Sequence, residues 1–230
     1  MTKCRAYIES QSAVKPSKLP AFYPSVTISR QAGAGGVVVA RMLVAFMEGS
    51  RKKGEPAWTL FDRELVGQIL TDNQLPSALE KFYLEDVKSR LESTVEELLG
   101  LHPSPAAMVE QTSKTIIKLA RKGHSVIVGR GANVITRGLD NMIHVRLVAP
   151  LDFRLQHVKN FYNLSTSEAL AFINRADRAR ARYLKQYFSR KIEDPLQYDM
   201  VINTATTGLE AAAGLIATSL VALQATHEAK

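Results

Sequence analysis

Short apolar strands alternate with longer helical segments along this chain, and this alternation limits the fold more than any other feature. Five segments are apolar enough to be buried strands: residues 26–29, 58–61, 125–129, 142–148 and 199–203. Strands buried on both faces are continuous apolar runs, and parallel strands need crossover connections, usually helices. The sequence therefore predicts an α/β fold: a five-stranded parallel sheet with helices on both faces.

Helices are expected between these strands and after the last one. They cover residues 37–47, 64–70, 76–100, 106–122, 151–163, 165–190 and 208–226. The segment 165–190 is strongly basic and fits either one long helix or a pair. Residues 1–23 mix prolines with polar residues and have no sustained period, so we expect a flexible tail ahead of a domain at 24–230. With 46% hydrophobic residues, the chain of 230 can form a domain with a substantial core.

Composition points to a cytoplasmic protein with anionic partners. The single cysteine, Cys4, cannot form an internal disulfide, which favours a reducing compartment. The N-terminal residues show no apolar signal segment, and the apolar stretch 211–225 is shorter than the ~20 residues that span a bilayer, so no membrane contact is expected. The net charge of +8 favours phosphate compounds or nucleic acid as partners.

A glycine-rich loop, residues 30–36, joins the first strand to the first helix. Its glycines are Gly33, Gly35 and Gly36. Glycines let backbone N–H groups approach a phosphate, and the following helix N-terminus carries partial positive charge. A tight turn that needs positive φ would use the same glycines. The Walker A pattern is incomplete, because Gly36 stands where the lysine belongs and Val37 or Val38 where the hydroxyl belongs.

The basic segment carries a second candidate phosphate contact. Arg175, Arg178, Arg182 and Lys185 are spaced to share one helical face. Arginine forks match phosphate oxygens, and phosphoryl transfer needs positive charge around the transferred group. A solvated charged helix would show the same pattern.

Six segments, in this order, resemble the cytidylate kinase-like family of P-loop nucleoside monophosphate kinases. They are residues 26–36, 60–65, 126–132, 144–150, 177–183 and 198–204. The resemblance implies a P-loop kinase fold, a monophosphate-binding insertion at 62–104 and a lid at 164–196. It also implies ATP and Mg²⁺ as cofactors and nucleotides as substrates.

The resemblance and the basic segment together define the expected site. The ATP phosphates would contact Arg30, Gly33, Ala34, Gly35, Gly36 and Val37. The acceptor would contact Asp62, Arg130, Arg175, Asp177 and Arg180. The residues expected to stabilise the transferring phosphoryl group are Arg130, Arg178 and Arg182.

Several family features are missing. The lysine and the hydroxyl of the Walker A pattern are absent. Gly131 stands where the family has a carboxylate after the arginine, and Val37 and Val38 stand where it has a charged pair after the glycines. Arg30, Arg41 or a lid arginine could supply the lysine's charge. Asp62 is the carboxylate best placed for Mg²⁺, although it could equally cap the helix that follows.

Three functions fit these residues. The first is a kinase that moves the γ-phosphoryl group of ATP to a nucleoside monophosphate, CMP or dCMP by resemblance. The second is a nucleotide- or phosphate-binding module with weak or no catalysis, favoured by the valines after Gly36. The third is a nucleic-acid-binding protein, although the positive charge suits small phosphate ligands as well. The sequence leaves the oligomeric state open.

Overall fold

The protein, represented by a computed structural model, is described for residues 22–62 and 105–229. Its five strands are β1 (Ser25–Arg30), β2 (Thr59–Phe61), β3 (Ser125–Val128), β4 (Met142–Val148) and β5 (Met200–Asn203). They form one sheet in the order β2-β3-β1-β4-β5. Every pairing is parallel, so the carboxyl ends of all five strands lie at one edge. The predicted five-stranded parallel sheet is confirmed.

Seven α-helices are described: α1 (Gly36–Gly49), α2 (Pro105–Lys122), α3 (Ala132–Ile135), α4 (Leu151–Tyr162), α5 (Thr166–Phe188), α6 (Thr204–Thr207) and α7 (Leu209–Glu228). Pro195–Gln197 form a short 3-10 helix. The basic segment is a single helix, α5. The short helices α3 and α6 were not predicted, because four residues are too few to show a helical period. The helices expected at 64–70 and 76–100, almost all of the tail at 1–23 and all but the first residue of the insertion at 62–104 lie outside the described residues.

One face of the sheet forms the main apolar core. Val26 and Ile28 of β1 project to this face, and α1 and α7 cover it through Leu43 and Ile216, all four fully buried. Alternate residues of a strand point to opposite faces, so Val26 and Ile28 enter this core together. Burial of these side chains positions the first turn of α1 at the carboxyl end of β1.

Helix α7 bears on the expectation that the chain makes no membrane contact. It runs for 20 residues, five more than the apolar stretch 211–225, and is the one helix in the described part of the chain with the length and apolarity of a membrane span. A core helix of a globular domain meets the same criterion. Ala212, Ala213 and Leu220 of α7 are fully buried in the main core, so the helix gives no evidence for a membrane.

The opposite face of the sheet carries a buried polar seam. His144 Nδ1 lies 2.9 Å from Thr27 Oγ1, and Arg146 Nη1 donates to Ser29 Oγ at 2.9 Å. The Arg146 guanidinium also lies over the Tyr198 ring, 5.7 Å from its centroid. These contacts give hydrogen-bond partners to polar side chains whose burial without partners would cost free energy.

Candidate functional site

The glycine loop (residues 30–36) lies at the carboxyl end of the central strand and leads directly into α1. Gly33 and Gly35 have φ values of 81° and 76°, a region that strongly favours glycine. The first helical hydrogen bond runs from Val39 N–H to the carbonyl oxygen of Gly35, at 2.9 Å. The N–H groups of residues 36–38 therefore precede it and have no partner inside the helix, as at every helix N-terminus.

No side chain would fit at the loop glycines without movement. A Cβ on Gly33 would lie 2.6 Å from the carbonyl oxygen of Arg154, and one on Gly35 would lie 2.4 Å from Leu209 Cδ2. A Cβ on Gly36 would lie 2.8 Å from Arg30 Cγ. Close packing therefore favours glycine at all three positions, and backbone conformation favours it at Gly33 and Gly35.

A cleft of about 420 Å³ opens beside this loop. Its described lining brings four arginines together with one carboxylate, that of Asp62. The arginines are Arg30, Arg130, Arg175 and Arg180. They come from β1, the turn after β3 and helix α5, so three distant segments of the chain meet here. Such an excess of positive charge suits an anion with several phosphate groups.

Helix α5 is joined to the glycine loop through Asp177. The carboxylate accepts a hydrogen bond from Ala32 N–H at 2.7 Å through Oδ1, and one from Arg154 Nη1 at 2.7 Å through Oδ2. Arg180 Nη1 lies 3.3 Å from the same Oδ1. Arg154 in turn donates to the carbonyl oxygens of Ala149 and Ala32. One carboxylate thus holds α4, α5 and the loop together.

The start of α5 is fixed by its own sequence. Ser165 and Glu168 form a capping box, in which each side chain accepts from the other's backbone N–H. The capping box fixes the residue at which the helix begins. Asp177 binds the loop and Arg180, three positions farther along the helix, lines the cleft.

The turn after β3 presents Arg130 in an unusual backbone conformation. Gly129, Arg130 and Gly131 all have positive φ, at 83°, 58° and 66°. Arg130 is 7% exposed and lines the cleft. A non-glycine residue in the left-handed region is strained, and such strain concentrates at functional sites.

Phe188 occupies the space beside Gly131. A Cβ on Gly131 would lie 2.7 Å from Phe188 Cε2. A carboxylate at this position, which the family resemblance leads one to expect, would meet the aromatic ring. The absence of the acidic residue after Arg130 therefore has a packing explanation.

The structure places the expected site residues in four groups, the first of which is Asp177 alone, which binds the loop and lies outside the cleft lining. The cleft brings together Arg30, Gly33, Gly35, Gly36, Val37, Asp62, Arg130, Arg175 and Arg180. Ala34 is fully buried in the main core, and its carbonyl oxygen accepts from Thr204 Oγ1. Arg178 and Arg182 are exposed outside the cleft lining, and Arg178 Nε donates to the Asn174 carbonyl of its own helix. Their catalytic role stays a prediction.

Sequence reasoning missed Arg154 and an aromatic wall of the cleft. The wall consists of His157, Phe161, Tyr162 and Phe172 from α4 and α5. Phe161 is 69% exposed although it is large and apolar. The sequence signal for this wall was the pair Phe161-Tyr162 at the end of a helix, a position where an aromatic pair is often ordinary packing.

The described residues offer limited support for a metal ion. They contain no group of three or more His, Cys, Asp or Glu side chains that could hold one. Asp62 is the carboxylate in the described cleft lining, and Val37 and Val38 line it where a hydroxyl would be expected. Mg²⁺ commonly uses one or two carboxylates together with substrate phosphates and water. Asp62 fits that mode of binding.

A sequence model of the cytidylate kinase-like family matches residues 25–206. The chain belongs to this family. The match covers the sheet, the glycine loop and helix α5, so this cytidylate kinase-like chain is a nucleotide-kinase-like module. No curated protein sequence matches it.

Solved structures share its architecture. An uncharacterized protein from Eubacterium ventriosum ATCC 27560 aligns with a TM-score of 0.63 and 21% identity, over 86% of this chain and 98% of that one. This likeness shows the fold. A shikimate kinase from Acinetobacter baumannii aligns with a TM-score of 0.47 and 18% identity, over 90% of this chain and 98% of that one. The second likeness is too distant to bear on the function of this chain.

Proposed function

We propose that this protein transfers the γ-phosphoryl group of ATP to a nucleoside monophosphate, with CMP or dCMP as the acceptor implied by the family. The observation that carries the proposal is the cleft, which is lined by the glycine loop, the N-terminus of α1 and four arginines. A nucleotide pair brings several phosphate groups into one site, and this arrangement supplies the opposing charge.

Residues of the chain would act by positioning and electrostatics. The N–H groups at the start of α1 would hold ATP phosphates, aided by the helix dipole. Arg130, Arg175 and Arg180 would orient the acceptor phosphate and neutralise charge on the equatorial oxygens of the transferred group. No covalent nucleophile is needed, since the acceptor phosphate oxygen attacks directly.

Asp62 would hold Mg²⁺ together with the nucleotide phosphates. The ion would supply additional neutralisation of the phosphate oxygens. Asp177 would keep the loop in place while the arginines on both sides of it engage the substrates. Residues 164–196, which include α5, would act as the lid that excludes water during transfer.

A second function has a specific observation in its favour. Val37 and Val38 line the cleft at positions where P-loop enzymes hold the metal through a hydroxyl. A chain that keeps the cradle and lacks this ligand would bind a nucleotide and turn over slowly or not at all. Nucleotide binding without acceptor-dependent turnover would distinguish this module from the kinase.

The test is ADP release from Mg-ATP by the full chain, across CMP, dCMP, UMP and AMP. We expect one acceptor to stimulate release strongly, and Arg180→Ala to lower that rate roughly 100-fold, because a charge-stabilising donor is lost. Lys118→Ala is the control, since Lys118 is exposed on α2, outside the cleft lining. A preparation that binds ATP and shows no stimulation by any acceptor would refute the kinase proposal for these substrates.

A further inference from the structure

Residue 36 is the position where a P-loop normally presents the lysine that reaches the β- and γ-phosphates. Gly36 is the first residue of α1 and lines the cleft, so a side chain here would start at the mouth of the phosphate cradle. The direction of its missing Cβ is therefore informative: it shows where the lysine's stem would begin.

That direction is already filled by Arg30. The ideal Cβ of residue 36 lies 2.8 Å from Arg30 Cγ, 3.1 Å from its Cβ and 3.3 Å from its Cδ. These are stem atoms of Arg30, so the aliphatic part of the arginine runs across Gly36. Contacts this short exclude both side chains at once unless one of them moves. Arg30 itself lines the cleft and is half-buried at the end of β1.

We propose that Arg30 is the cation that replaces the P-loop lysine and that Gly36 is glycine in order to admit it. The proposal rests on the proposed function, because it assigns a residue to the ATP phosphates. The guanidinium would contact the β- and γ-phosphates from the strand side of the loop, whereas a lysine would approach from the helix side. An arginine is suited to replace the lysine because its planar guanidinium can bind two phosphate oxygens at once.

The other candidate cations lie on different elements or too far along the helix. Arg41 is exposed and is five residues beyond Gly36, which places it about 7.5 Å farther along the α1 axis. Arg180 is on α5 and has Asp177 Oδ1 3.3 Å away. Arg130 belongs to the turn after β3. Among the residues that would meet a Cβ at position 36, Arg30 alone supplies the nearest three atoms.

The decisive experiment is a double-mutant cycle between positions 30 and 36, read by binding of inorganic tripolyphosphate and of ATP in calorimetry. Arg30→Met keeps the stem and removes the charge. We expect it to weaken both ligands roughly 10- to 100-fold, because a charged hydrogen-bonding group is lost. Gly36→Lys in the otherwise native chain should also weaken binding, because the new stem displaces Arg30.

The combination Arg30→Ala with Gly36→Lys should recover most of the affinity lost in Arg30→Ala. The shortened residue 30 leaves room for the lysine stem, and the charge then comes from the helix side. Arg41→Met tests the competing cation on α1, and we expect its affinity to equal that of the native chain. Melting temperatures recorded in parallel verify that each variant is folded.

Three results would overturn the proposal: tripolyphosphate binding unchanged in Arg30→Met, unchanged binding in Gly36→Lys, or loss of binding in Arg41→Met equal to that in Arg30→Met. A native chain that binds neither ligand would overturn both this inference and the proposed function. A native chain that binds both ligands and transfers no phosphoryl group would refute the kinase alone, and the binding cycle would still decide the role of Arg30.

Discussion

Asp177 of helix α5 accepts a hydrogen bond from the backbone N–H of Ala32 in the glycine loop, at 2.7 Å. The two residues are 145 positions apart in the chain. The same carboxylate pairs with Arg154, whose side chain is 11% exposed. Hence the carboxylate that the family resemblance assigns to acceptor recognition also fastens the helix to the loop that would hold ATP.

We expect Asp177→Ala to destabilise the fold and to weaken ATP binding together. The substitution leaves the Ala32 N–H without its partner and removes the ion pair of Arg154, which costs about 1–3 kcal/mol. Thermal unfolding and ATP calorimetry measure the two effects. Asp152→Ala is the control, because Asp152 is exposed in the first turn of α4. A variant with native stability and native ATP affinity that raises only the acceptor KM would show that Asp177 recognises the acceptor and does not secure the loop.

Replacement of Arg130 should change activity much more than stability. Asn tolerates the left-handed conformation that Arg130 adopts at φ 58°. Arg130→Asn removes strain of about 1 kcal/mol or more, which offsets lost packing. We expect the melting temperature to change by less than about 4 °C and acceptor-dependent ADP release to fall roughly 100-fold.

Arg137→Asn serves as the comparison for that variant. Arg137 is exposed and donates to the carbonyl oxygen of Leu196, away from the cleft. It should retain native activity. If Arg130→Asn kept native turnover, the strained arginine would have no part in the reaction.

Introducing at position 131 the acidic residue that the family resemblance leads one to expect should lower the stability of the protein. Gly131→Asp introduces a Cβ 2.7 Å from the Phe188 ring at a φ of 66°. Overpacking together with an unfavourable backbone costs about 1–3 kcal/mol. We expect a lower melting temperature, partly recovered in the combination with Phe188→Ala. Gly138→Asp is the matched control, since a Cβ there meets nothing within 4 Å. Equal stability of the two aspartate variants would contradict the packing explanation.

Two buried histidines predict loss of stability in mild acid. Burial lowers the pKa of His124 and of His144 below the ordinary 6.5, although contacts with acidic groups oppose the shift. His124 is stacked on Trp58 with ring centroids 4.6 Å apart, and its Nδ1–H donates to the Pro56 carbonyl oxygen. Well above pH 6.5 both histidines are neutral in the folded and unfolded chain, so their contribution is fully retained.

As the pH falls below 6.5, the unfolded chain binds protons that the folded chain does not, and the free energy of unfolding falls. The decrease continues until the pH passes the lowered pKa values of the folded state. Urea unfolding between pH 5 and 8 should show this slope, and His124→Asn should reduce it, since Asn accepts the positive φ of 48° at this position. His227→Gln, at an exposed site on α7, should leave the slope unchanged. If the free energy of unfolding of His124→Asn fell with pH as steeply as that of the native chain, His124 would not contribute to the acid-induced loss of stability.

The sequence alone determined the sheet, most helices and the place of the glycine loop. Apolar runs and helical periods are local patterns, and the five strands found here differ from their predicted bounds by at most one residue at either end. The absence of the P-loop lysine was also evident from the sequence, because a comparison with one short motif is enough to detect it. Family membership followed from the order of such motifs.

Tertiary structure decided which of these residues meet. Neighbours on a helix differ by about 100° in direction, so Asp177 reaches the loop while Arg178 is exposed. The helical spacing of the arginines showed that they share a face, and only the packing of α5 against α4 and the loop determined which face that is. A Cβ at residue 36 would lie within 3 Å of Arg30, and one at residue 131 within 3 Å of Phe188, because the folded backbone brings these residues together. No local pattern encodes that condition.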